Sequence, residues 1–161
     1  MNSASSGRTP FSPQRTILFG GVAVGTCDIL WAFLMSALAG RGPVSVLQSV
    51  AGGFLGPATF QGGAATAFLG MFTHYFIATC WMTVYYLVSR RLPALARRPW
   101  VFGPLYGVLV YLMMYGVVLP LSAWHTHGPA FDLTMAKALF IHMFGIGTVA
   151  ALVTRRGTAL A

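Results

Sequence analysis

Residues Ile17 to Ala39 form an apolar run broken by a single charge, Asp28. An α-helix needs about 20 apolar residues to cross the hydrocarbon core of a bilayer. Three comparable runs follow: Ala64 to Val88, Val101 to Leu121 and Leu133 to Val153. Inside lipid every backbone N–H and C=O must be satisfied internally, so runs of this kind are helices. Only 7% of the 161 residues are charged, against roughly 25% in a soluble domain. The expected fold is all-α: a polytopic membrane protein with four transmembrane helices, forming one domain over residues 16–156.

The ends and connections fill in the plan. Residues 1–15, MNSASSGRTPFSPQR, are polar and rich in Ser and Pro, and read as a disordered cytoplasmic tail. Residues 157–161 read as a short cytoplasmic C-terminal tail. Ala37 and Ala39 have the small-x-small look of a signal cleavage site. The apolar stretch before them exceeds the roughly 7–15 residues of a signal-peptide core, so an uncleaved first span is expected. Between spans one and two, Val44 to Ala51 is opened by Pro43 and followed by Gly52–Gly53. Two helical turns are too few to span, so an interfacial or re-entrant helix is expected there. Pro120 should kink the end of the third span by removing a bond to Gly116. Asp132 is placed to cap the fourth.

The net charge of +8 sits in clusters at the ends of the runs. Arg90, Arg91, Arg97 and Arg98 fall in one loop, and Arg155 and Arg156 follow the last span. With that loop in the cytoplasm, Arg8 and Arg15 fall inside as well, and only Arg41 and Lys137 fall outside. Both termini are then cytoplasmic. The basic clusters suit anionic headgroups, and no nucleic-acid partner is expected, because basic residues are not interleaved with polar surface. Tyr85, Tyr86 and Trp100 would mark the inner interface, and Trp124 and Phe131 the outer. Cys27 and Cys80 match no metal or redox spacing and read as small buried hydrophobes.

Gly21 and Gly25 are four apart, as are Gly103 and Gly107. Small residues at that spacing let helix backbones approach closely in lipid. The stripe Gly21, Gly25, Asp28, Ala32, Met35, Ala39 is one face of a helix, which puts Asp28 on a packing seam. Gly70, His74 and Ala78 share a face of the second span, and Ala138, His142 and Gly145 a face of the fourth. With 1.5 Å rise per residue, Asp28, His74 and His142 lie roughly 16, 22 and 20 Å from the cytoplasmic ends of their helices. Tyr111 and Tyr115 fall at the same level.

This constellation holds the chemical potential of the chain. A carboxyl group at mid-span costs roughly 2.5–3.5 kcal/mol to insert, so Asp28 is expected to meet His74 or His142 from another helix. Such a network serves either to relay protons or bind an ion, or only to lock the bundle. A second possibility makes His74 and His142 axial ligands of a haem b. A third places a metal on His125, His127 and Asp132, one ligand short of a tetrahedral zinc site. No nucleophile motif, phosphate loop or dinucleotide fingerprint is present, and no enzyme activity is expected.

At GTCDI, LQSVAGGFLG, FQGGAATAFLG, HYFIA, SRRLP, YGVLVY and VVLPLSA the chain resembles a group of small bacterial four-helix inner-membrane proteins without assigned function. The resemblance covers most of residues 17–156. It implies four spans and a bacterial inner membrane, and it carries no chemistry. The expected protein is thus an integral inner-membrane protein with a buried Asp–His network, serving proton-linked transport or stress tolerance, and forming a homo-oligomer or joining a membrane complex. The other readings are a haem-binding electron-transfer or membrane-anchor subunit, and a purely structural subunit.

Overall fold

The computed structural model describes residues 11–125 and 132–158. The first ten residues of the expected tail, the loop positions His127 and Phe131, and residues 159–161 lie outside the described residues. The described residues are all helical or connecting, with no strand among them. Four helices are long and apolar enough to cross a membrane: α1 (Pro13–Leu38), α3 (Gly63–Arg91), α5 (Pro99–Leu121) and α6 (Leu133–Gly157). Two shorter ones join them, α2 (Pro43–Leu55) and α4 (Ala94–Arg97). The protein is a multi-pass α-helical bundle.

The boundaries follow local chemistry. α1 begins before its apolar run, so residues 13–15 of the expected tail are helical. Ser12 caps it, its side chain accepting from the Arg15 backbone N–H, and Pro13 sits in the first turn, where a missing N–H costs nothing. Asp132 caps α6 as expected, with Oδ1 2.9 Å from the Met135 nitrogen.

α2 also extends past its expected end, through Gly52 and Gly53, and stops only at Gly56 with φ +61°. Gly52 is needed inside the helix because the Trp124 ring lies where a Cβ would be. At 13 residues α2 is about 20 Å long, short of the ~30 Å hydrocarbon core, as expected. It packs across the start of α3, where a Cβ on Gly70 would overlap the Leu47 carbonyl. Gly70 therefore receives α2, rather than a spanning helix.

A polar knot holds α2 in place. Buried Gln48 donates to the Gly63 carbonyl at 3.1 Å and to Thr66 at 3.3 Å, while its own carbonyl accepts from Thr59 at 2.8 Å. Trp124 Nε1 donates to the Ser49 carbonyl at 2.9 Å. Gln48→Leu removes the two side-chain bonds to Gly63 and Thr66, leaves the bonds to the Gln48 and Ser49 backbone carbonyls in place, and should lower stability in detergent by about 1–3 kcal/mol. Ser45→Ala on the same helix should change it by less than ~0.5 kcal/mol. Thermal unfolding of the two variants compares them.

The spanning helices pack through glycine. Gly21 and Gly25 bring α1 onto α3 at Thr79, Tyr75 and Ala78. Gly103, Gly107 and Gly147 bring α5 and α6 into backbone contact. α1 lies between α3 and α6, with Gly157 of α6 closing on Thr16 of α1. All the described arginines except Arg41 gather where α1 and α5 begin and α3 and α6 end.

Three expectations are corrected. Tyr85 and Tyr86 are core residues, 0% and 4% exposed, because each helix turns them toward a neighbour rather than the interface. Cys27 and Cys80 are exposed rather than buried. The α5 distortion lies upstream of Pro120, as a π-helical turn at Met114–Val118.

Candidate functional site

Four spans bring polar groups to mid-height, but not in the arrangement expected. At Gly25 the Tyr75 ring of α3 lies where a Cβ would be, and the neighbouring His74 reaches the same residue. Its Nε2 donates to the Gly25 carbonyl at 2.8 Å. One residue further on, Thr26 and the Tyr75 hydroxyl lie 3.1 Å apart. These two bonds pin α1 to α3. His74 is therefore bonded to backbone and does not meet Asp28.

His142 belongs to a different seam. It is buried in α6, and its Nδ1 donates to the Ala138 carbonyl at 2.7 Å. That bond fixes the tautomer in the neutral ring and leaves Nε2 as the acceptor. The rings of Tyr111 and Tyr115 stack with centroids 4.6 Å apart, and their edges meet His142 at 5.5 and 6.1 Å. Tyr111 is buried and Tyr115 half-buried. Beside Asp28, the Cys27 side chain lies 3.6 Å from where a Cβ on Gly145 would stand, so α1 passes α6 one turn from His142.

Asp28 itself is half-buried, and its carboxylate has no hydrogen bond or ion pair among the described residues. The expected Asp–His hydrogen-bond network is not formed. The physical reason lies in the path of α1. Its closely packed face runs through Thr16, Gly20, Gly21, Val24 and Gly25 and then turns to Ile29. Asp28, Ala32 and Met35 fall at the margin of the seam, and Ala39 is exposed.

Two features of the site gave no sequence signal. α6 is π-helical over His142–Thr148, and α5 over Met114–Val118. Both turns begin beside the Tyr111, Tyr115, His142 cluster. In α6 the Thr148 hydroxyl donates to the Met143 carbonyl five residues back, at 2.9 Å, and Gly145 and Gly147 relieve the crowding. π turns are rare and frequently mark functional sites.

The cluster does not fit a haem. Axial ligation needs two ring nitrogens aimed at one iron. His74 offers Nε2 to the α1 backbone, and Tyr111 and Tyr115 fill the space beside His142. Among the described residues no three metal-binding side chains come together, and the expected loop site falls partly outside them. Asp132 caps α6, His125 is exposed, and His127 lies outside the described residues.

Compared with family models, curated proteins and solved structures, the chain has no significant match.

Proposed function

We propose that this protein handles protons within the membrane, as in proton-linked transport, through a centre made of Asp28, Tyr111, Tyr115 and His142. The observation that carries this reading is that a π turn begins at the cluster in each of α5 and α6. A carboxylate at mid-span without a protein partner is costly in lipid. It is relieved by taking up a proton, and His142 and the two tyrosines on the neighbouring spans are the groups assigned to exchange one with it. Each π turn gives its helix a second backbone register starting beside the cluster, so that proton occupancy and helix geometry can be coupled. His74 stays outside the centre as a structural pin.

In this proposal the protein sits in a bacterial inner membrane with both termini cytoplasmic, a topology supported by the arginines clustered at the end carrying Arg90 to Arg98. Four short spans enclose little, so a transport path is best completed by a second copy or another subunit, and stress tolerance is a fitting physiological setting. The test uses protein in sealed vesicles carrying an internal pH dye, with a potassium diffusion potential driving proton entry. Wild-type vesicles should acidify faster than protein-free ones, and Asp28→Asn should return the rate to the protein-free level. A wild-type rate equal to that of empty vesicles would contradict the proposal.

A further inference from the structure

α3 and α5 are neighbours that never bring their backbones together. α5 turns Gly103 and Gly107 to α6, and α3 gives Gly70 to α2 and Ala78 to α1. What joins them is a pair of tyrosines, Tyr85 and Tyr106, with ring centroids 4.8 Å apart. Each hydroxyl is turned into backbone: Tyr85 to the Leu95 carbonyl at 3.0 Å and Tyr106 to the Trp81 carbonyl at 2.6 Å. The rings therefore form an apolar floor. Above it runs an open groove of about 270 Å³, walled by Val84 and Val88 of α3 and by Phe102, Leu105 and Leu109 of α5.

The groove points at the arginine-rich end. Val84, Val88 and Arg91 follow one another at i, i+4 and i+7 on α3, so Arg91 continues one wall. Arg98, Phe102, Leu105 and Leu109 keep the same spacing, so Arg98 heads the other. Both arginines are exposed. The chain has only two acidic residues, Asp28 at mid-span and Asp132 at the start of α6, at the other end of the bundle. No acidic side chain of this protein can neutralise Arg91 and Arg98.

We propose that this groove binds one anionic phospholipid, with an acyl chain laid over Tyr85 and Tyr106 and the phosphate held between Arg91 and Arg98. An apolar channel in line with paired, uncompensated arginines matches the two ends of such a lipid. A second copy of this chain would bring its own unpaired arginines to the same end and is disfavoured there. The inference is independent of the proton-handling centre.

The experiment places the full-length protein in lipid discs made of equal parts phosphatidylglycerol and phosphatidylcholine, and counts the lipids it retains by native mass spectrometry. Wild-type protein should retain phosphatidylglycerol in preference. Arg91→Gln with Arg98→Gln should weaken that preference about fivefold for each arginine removed. Arg155→Gln with Arg156→Gln removes the same charge from the same end and should leave the preference intact. Leu105→Trp, which fills the groove, should displace both lipids. All five positions are exposed, so the packed core is untouched. Equal retention of the two lipids by wild-type protein would overturn the proposal, as would an equal loss in the control pair or a lipid-free dimer sealed over the groove.

Discussion

Gly107→Val is expected to separate α5 from α6 and to leave the protein unable to hold its fold in detergent. A Cβ at Gly107 would overlap the His142 carbonyl and come within 2.5 Å of the Met143 Cα. Both obstacles are backbone, so no side chain can rotate away. Overpacking in a tight core usually costs 1–3 kcal/mol. With backbone on both sides the cost should reach at least about 3 kcal/mol, a large part of the ~5–15 kcal/mol that holds a typical fold. Gly116 lies on the same helix, where an added Cβ meets nothing within 4 Å. Gly116→Ala should therefore be neutral, or stabilising by up to about 1 kcal/mol through helix propensity. Heat-induced aggregation of the two purified variants, measured side by side, separates close packing from a general intolerance of substitution. Aggregation temperatures that match for the two would refute the packing account.

His142→Phe and His74→Phe should part company in the opposite way. Phenylalanine preserves much of the ring volume at both positions. At His142 it removes the titratable ring that packs against Tyr111 and Tyr115. Loss of a positioned acid–base group typically lowers a rate 10²-fold or more, so proton entry into vesicles should fall by about 100-fold with the fold retained. At His74 it removes only the 2.8 Å bond to the Gly25 carbonyl. That carbonyl lies within α1, where the helix ladder supplies a donor, so stability should fall by about 1 kcal/mol and proton entry should persist. The reverse pattern, with His74→Phe inactive and His142→Phe active, would move the centre to the α1–α3 seam.

Much of the architecture was legible because lipid leaves the backbone few choices. Continuous apolar runs had to be helices, and paired glycines had to mark close approach. Gly21, Gly25, Gly103 and Gly107 do mark it. What escaped was anything depending on where a helix turns along its length. A stripe drawn from Gly21 to Ala39 assumes one straight seam. The real α1 buries Thr16, Gly20, Gly21, Val24, Gly25, Ile29 and Ser36, and Asp28 lands at the margin. The same assumption of ideal geometry hid the π turns, since inserting one residue per turn leaves no compositional trace.

His74 and His142 were wrongly joined to Asp28, because rise per residue gives only height along a helix while azimuth is set by packing. The Gln48 knot was invisible for a related reason. Its partners, Gly63, Thr66 and Thr59, are connected only once α2 folds back on α3. Asp132 was legible in full, since capping depends on neighbouring residues alone. SPQR at 12–15 carries a capping signal of the same local kind, which the polar composition of the tail concealed.

The claim on which the rest depends is that Asp28, Tyr115 and His142 form one proton-carrying centre. Infrared difference spectroscopy of the protein in lipid tests it most directly, by subtracting Asp28→Asn from wild type to isolate the Asp28 carboxyl stretch. The account predicts a protonated-carboxyl band that shifts in Tyr115→Phe and in His142→Phe and stays in place in His74→Phe. A band indifferent to Tyr115 and His142 would contradict it and leave Asp28 as an isolated group at the edge of the bundle.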